Sequence, residues 1–144
     1  MAQPTVIAGT KLLILVGDGS SPEIFAQPCG LTTRGIAFSA QTNSTAIPDC
    51  DDPELPAWEA KDVSTISCQV TGNGVMAVES FDTWNDWFQE AQARNCQITL
   101  DNPGLGHWAG SFILTNFRVT GQRGQKVTVD ITMDNNGAVP WVPA

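Results

Sequence analysis

Residues 62–71, DVSTISCQVT, decide the fold class. Ser64, Ile66, Cys68 and Val70 point one way along an extended chain, and Thr65, Ser67, Gln69 and Thr71 point the other. Strict two-residue alternation marks a strand with two unlike faces, because successive side chains leave a strand on opposite sides. The same rhythm occupies residues 30–41, where Ile36, Phe38 and Ala40 share one face and Gly35, Ala37, Ser39 and Gln41 the other. Residues 126–133 repeat it with Val127, Val129, Ile131 and Met133 inside and Thr128, Asp130 and Thr132 outside. In residues 108–120 the phase slips between Leu114 and Phe117, which predicts a bulge near Thr115. Residues 11–16, 23–27 and 96–100 complete the strands. Turns are read at residues 17–22, at Gly72-Asn73-Gly74 and at residues 121–124.

One segment changes period. Phe81, Trp84, Trp87, Phe88 and Ala91 fall at helical spacing, with Asp82, Asn85, Asp86, Gln89 and Glu90 opposite, which predicts a helix over 80–93. Ser80 suits its N-cap, Asp82 its first turn and Arg94 its C-terminal end. Its aromatic stripe reads as the cover of an open sheet end. The chain is therefore mainly β, a β-sandwich or partly closed barrel with one flanking α-helix, in a single domain over 1–144.

Composition narrows the function. The 144 residues are 42% hydrophobic and 15% charged, enough apolar content to bury a core. Residues 12–16, the longest apolar run, are strand-sized, so no membrane span is expected. The first residues lack a basic stretch ahead of a long apolar one, which argues for a cytosolic chain and not a secreted one. Net charge is −8, so the chain is not expected to wrap nucleic acid by neutralising phosphates. Cys29, Cys50, Cys68 and Cys96 lack the CxxC spacing of a zinc site and read as free thiols, Cys68 in the core.

Catalytic patterns are missing. His107, the single histidine, follows Gly104-Leu105-Gly106 in what reads as a turn, with no acidic or nucleophilic neighbour in sequence. No GxSxG, HExxH or phosphate-cradling glycine loop occurs. Asp49, Asp51 and Asp52 lack the ligand ladder and distal Glu of a calcium loop, so a solvated or partner-facing cluster is the better reading. Neither an enzyme nor a cofactor is expected.

Between two of the strands lies AIPDCDDPELPAWEAKD, residues 46–62, with six acidic residues and no regular hydrophobic rhythm. Long structureless loops inside compact domains are usually functional or disordered. Ile47, Leu55 and Trp58 are costly to leave in water, while Pro48, Pro53 and Pro56 stiffen the chain and reduce the entropy lost on docking. The segment reads as an extended arm that lies on another surface. If that surface is a different patch of an identical subunit, the contact is head-to-tail and repeats without end. The flanking strands carry small uncharged faces: Thr33, Gly35, Ala37, Ser39 and Gln41, then Thr65, Ser67, Gln69 and Thr71. A free solvent-facing sheet usually carries lysine and glutamate, so a face without cations suits the inner wall of a conduit for a polyanion.

GLTTRGIAFSAQTN, IPDCDDPELPAWEAKDVSTIS, VTGNGVMAVES and RGQKVTVDITMDNNGAVPW together resemble the tail tube proteins of long, flexible-tailed bacteriophages and of phage-like gene transfer agents. The resemblance spans nearly the whole chain. It implies six subunits per ring, rings stacked into a hollow tube, and one continuous inner barrel through which DNA leaves the capsid. By the same likeness the loop over 42–61 reaches the next ring, through Ile47, Pro48, Asp49, Asp51, Asp52, Pro53, Leu55, Pro56, Trp58 and Glu59. Thr33, Ser39, Gln41, Thr65, Ser67, Gln69 and Thr71 would face the channel, with Asp62 and Asp130 near the wall to repel phosphates. Six subunits giving about four strands each close a barrel about 45–50 Å across, wide enough for duplex DNA. The implied partners are further copies of the chain, tape-measure, terminator and distal tail proteins, and DNA in transit, with no membrane. The implied location is the virion tail, assembled in the host cytoplasm. Two alternatives stand beside this: a terminator or completion protein of the same fold, which forms one ring and stops, and a carbohydrate-binding module using Trp58, Trp108 or Trp141 as a stacking platform.

Overall fold

The computed structural model describes residues 3–18, 23–101 and 105–143. They form one antiparallel sheet of eight strands: β1 (Leu12–Gly17), β2 (Phe25–Ala26), β3 (Leu31–Ile47), β4 (Trp58–Val75), β5 (Arg94–Leu100), β6 (Gly106–Thr120), β7 (Thr128–Asn135) and β8 (Trp141–Pro143). The helix α1 (Val78–Glu90) joins β4 to β5. Strand order is β2-β1-β5-β6-β7-β4-β3, with β8 added to β6. The sheet curls until β1 lies against β3, yet it does not close.

Alternation explains the core. Ile14 and Val16 of β1, Cys96 and Ile98 of β5, Phe112 and Leu114 of β6, Val129, Ile131 and Met133 of β7, and Cys68 and Val70 of β4 all lie on the inner face and are buried. Trp84 and Trp87 of α1, wholly buried, fill the inside of the curl and stack with ring centroids 6.0 Å apart. Each such indole removes about 150–250 Å² from water, worth about 4–6 kcal/mol of transfer free energy before entropy is counted. A helix is thus the second layer that a curled sheet needs.

Several local expectations are corrected. The helix begins at Val78 and not at Ser80; Ala77 is the N-cap and offers no side-chain cap. Ser80 is instead buried inside the first turn, where its hydroxyl donates to the carbonyls of Cys29 (3.0 Å) and Ala77 (3.2 Å). That ties the helix to the chain entering β3. At the other end Ala91 adopts a left-handed conformation, φ 54°, which stops the helix before residue 93. Glu79, not Asp82, is the acidic residue of its first turn. Arg94 opens β5 but still bonds Glu90 in the last turn at 3.0 Å.

Gly72-Asn73-Gly74 is not a turn. It continues β4, pairing with β3 and β7, and Gly72 is buried. A Cβ on Gly74 would collide with the Gly30 carbonyl and sit 2.6 Å from the Thr32 nitrogen, so glycine here serves a close backbone approach. His107 likewise sits in β6, opposite Thr99 and Val142, and not in a turn. Val127 precedes β7 and is half-exposed instead of inside. The turn read at 17–22 lies largely outside the described residues, as does Gly104. At Thr115 the β6–β7 register shifts between Leu114 and Asn116, the bulge that the phase slip predicts.

Candidate assembly site

The segment read as a long loop over 42–61 is mostly strand. β3 runs to Ile47 and β4 starts at Trp58, in register as Asn43 opposite Asp62, Thr45 opposite Ala60 and Ile47 opposite Trp58. Only residues 48–57 are irregular. The period is hidden in sequence because a bulge between Gln41 and Thr42 shifts the register. Ser64 occupies that bulge and donates its hydroxyl proton to the Gln41 carbonyl at 3.0 Å.

This hairpin leaves the body of the protein. β7 pairs with β4 only from Gln69 to Val75, so residues 39–47 and 58–67 pair solely with each other. About nine residues per strand give an arm about 30 Å long. It is exposed on both faces, apart from a half-buried Ala60. Phe38 and Ala40, on the face opposite the small polar residues, are exposed: Phe38 meets the Trp108 ring of β6 and the groove residues beside it, and the helix does not cover them. Beside them Val63 and Ile66, 72% exposed, continue an apolar stripe. At the arm's base that stripe meets an open groove of about 280 Å³ lined by Phe38, Ile66, Cys68, Val139 and Pro140.

The tip is built by its own carboxylates. The Asp49 carboxylate accepts from the backbone nitrogens of Asp51 (2.8 Å) and Asp52 (3.4 Å), and Asp52 accepts from that of Glu54 (3.3 Å). These are side-chain-closed turns, which short acidic residues favour. Among the described residues no cluster of His, Cys, Asp and Glu is arranged to hold a metal ion. Ile47, Leu55, Pro56, Ala57 and Trp58 line an open groove of about 430 Å³ at the tip. Trp58 is 87% exposed.

The uncharged face holds together as one surface. Gly35 opposes Thr71, Ala37 opposes Gln69, Ser39 opposes Ser67, Gln41 opposes Thr65 and Thr33 opposes Asn73. The Ser39 and Ser67 hydroxyls are 2.7 Å apart, and Gln69 donates to the Asp134 carboxylate at 3.3 Å. Across β7 and β6 the same face continues through Thr132 and Asn116, then Asp130 and Arg118. Asp134, Asn116 and Arg118 are missing from the expected face: Asp134 follows the last residue read into β7, and Asn116 and Arg118 reach this side through the bulge at Thr115, which the phase slip in β6 signals. Asp130 therefore stands opposite a cation, while Asp62 lies out on the arm.

Other candidates disperse. Trp108 meets Trp141 edge-on at 4.8 Å and Phe38 at 5.4 Å, whereas Trp58 lies at the far end of the arm. The three tryptophans do not form one platform. All four cysteines are free; Cys29 and Cys50 are exposed, Cys68 and Cys96 buried. Burial, helped by the Asp134 carboxylate, pushes the Cys68 thiol up to about 11. Burial and then the Glu23 carboxylate push Cys96 up to about 12, against the opposing pull of Arg94. Both are packing residues.

Comparison with known proteins matches this architecture. The tail of an empty gene transfer agent particle, refined with C6 symmetry, superposes with a TM-score of 0.80 at 19% identity, covering 95% of this chain and 99% of that one. A native gene transfer agent virion gives 0.76 at 18%, over 95% and 99%. The SPP1 tail tube gives 0.62 at 11%, over 92% and 77%. Among curated proteins no significant match is found. The sequence profile of the phage tail tube protein family matches residues 6–140, so the chain belongs to that family.

Proposed function

We propose that this protein builds a tail tube by stacking six-membered rings, each ring passing its arm to the next, and that DNA leaves through the bore. The observation carrying this is the arm itself: two strands with apolar side chains exposed on them, paired with no other strand among the described residues. Isolated two-stranded hairpins are marginal in water, so such an arm needs a surface to lie on. A chain polymer of identical units supplies that surface without limit. The six-fold symmetry of the gene transfer agent tail supports the ring size.

The inner barrel would take four strands per subunit, β6, β7, β4 and β3, whose common face bears Thr33, Ser39, Gln41, Thr65, Ser67, Gln69 and Thr71. Closing these into a ring removes the exposed edge of β3. On this face Asp62, Asp130 and Asp134 outnumber Arg118, so phosphates find no cationic track to bind. DNA slides because the wall offers it nothing to hold. The role is structural, without a catalytic step, and the remaining partners are the tape-measure, terminator and distal tail proteins of a virion assembled in the host cytoplasm.

Negative-stain microscopy of the purified chain tests this. Tubes are expected from the intact protein, and rings that do not stack from a chain whose residues 48–57 are replaced by a short Gly-Ser turn. Single rings from the intact protein would reassign it as a terminator. Normal tubes from the shortened chain would overturn the arm's role.

A further inference from the structure

Resting on that reading, one question remains: what does the tip of the arm dock against? The tip and its acceptor must lie on different copies if they occupy opposite ends of one strand. β4 spans from Trp58 at the tip to Val75 at the other end of the sheet. Seventeen steps at about 3.4 Å place these ends about 55–60 Å apart.

The far end carries the complement of the tip. β7 begins there, opposite Val75, and the β6–β7 connection turns there. Residues 119–126, VTGQRGQK, hold Arg123 and Lys126, two of the chain's seven cations, and no carboxylate, while Arg118 just before them stands opposite Asp130. Around them Val75, Val119 and Val127 are all more than 40% exposed, and Val78, on the first turn of the helix, is 86% exposed. Met76 donates to the Val127 carbonyl at 2.8 Å, which sets the end of β4 beside the β6–β7 turn; Val119, paired with Val129, lies on the core face there, and Val75, paired with Thr128, on the opposite face. The tip offers the reverse arrangement. Its groove, about 430 Å³ and walled by Leu55, Pro56 and Trp58, is also lined by Asp49, whose turn carries Asp51, Asp52 and Glu54, with no cation within residues 46–60.

We propose that the acidic tip of one subunit docks on the basic β6–β7 turn of a subunit in the neighbouring ring, the exposed Val119 and Val127 beside that turn entering the groove next to Trp58. The two surfaces differ in charge sign and face opposite ends of the subunit. Like ends repel and unlike ends attract, so rings add in one orientation only, and the tube acquires its polarity from this pairing. The prolines hold the tip in shape, so little entropy is lost when it seats.

Charge reversal with rescue tests the pairing. Arg123→Glu with Lys126→Glu is expected to leave rings intact but abolish tube growth at concentrations where the unaltered protein polymerises. Adding Asp51→Lys and Asp52→Lys to the same chain is expected to restore tubes. Unimpaired tubes from the Arg123→Glu, Lys126→Glu chain would overturn the docking site while leaving the tube reading standing; an unaltered protein that makes no tubes would overturn the tube reading itself. Cross-linking gives an independent readout, since Cys50 already sits in the tip. In a Cys29→Ser, Gln125→Cys chain, mildly oxidised tubes are expected to give a ladder of disulfide-linked multimers that the Cys29→Ser chain does not give. Absence of the ladder in well-formed tubes would refute the contact.

Discussion

Trp84 and Trp87 sit one turn apart, stacked and equally buried, yet their indole nitrogens meet different surroundings. The Trp87 nitrogen donates to the Gln92 carbonyl at 2.9 Å, and Arg94 lies 5.9 Å from its ring. The Trp84 nitrogen is buried without a hydrogen-bond partner among the described residues. Replacing either by phenylalanine removes similar volume, so the difference between the two variants reports the N–H. Trp87→Phe loses a hydrogen bond worth about 1 kcal/mol, whereas Trp84→Phe sheds a desolvated donor that costs about 1–3 kcal/mol. Urea denaturation should therefore find Trp87→Phe less stable than Trp84→Phe by about 2–4 kcal/mol; a difference of only about 1 kcal/mol would show that the unpartnered nitrogen carries no penalty. Single residues were legible in sequence where a period fixed them: Val129, Ile131 and Met133 face inward as alternation requires. Ser80 was not, since a serine ahead of an amphipathic run has the same look whether it caps the helix or anchors it from within.

At the scale of the element, the arm separates what sequence can reveal from what it cannot. Its apolar residues, read in sequence as anchors, do stand exposed, but the bulge at Gln41 hides the ladder, so strand reads as loop. The exposure of Phe38 escapes the sequence for a related reason. Alternation tells which side a residue faces and not whether another layer covers that side. The consequence is measurable. The backbone bonds of residues 39–47 and 58–67 join only two strands and are flanked by solvent, so they open at little cost in a free subunit. Hydrogen exchange should be fast across these residues in monomers or rings and slow in tubes, by roughly tenfold for each 1.4 kcal/mol of docking. Core strands β5 and β7 act as the internal control. Identical protection of the arm before and after assembly would mean that it is already stable alone and docks on nothing.

For the whole molecule, the question is which side of the sheet meets DNA. The face bearing Ser39, Ser67 and Gln69 combines small side chains, no lysine and a slight excess of carboxylates, a pattern of little use against solvent but suited to a wall that must not retain a polyanion. Sequence exposes this face because period-2 alternation sorts residues by side; its extension onto β6 needs the strand order as well, which no local period carries, although the phase slip at Thr115 does mark where that strand changes sides. Lysines at Ser39, Ser67 and Gln69 would add 18 positive charges to each ring of six, three per subunit, if six subunits form it. Counterion release then makes binding strongly salt-dependent. Tubes of this triple variant should retain short duplex DNA at low ionic strength, protect it from nuclease, and release it as salt rises, while unaltered tubes retain none. Protection is the decisive reading, because lysines on the outside of a tube would hold DNA just as firmly but leave it open to digestion. Retained DNA that nuclease removes would place this face outward, and the bore would then have to be lined by the opposite side of the arm, where Phe38, Val63 and Ile66 offer a surface too apolar for a polyelectrolyte to pass.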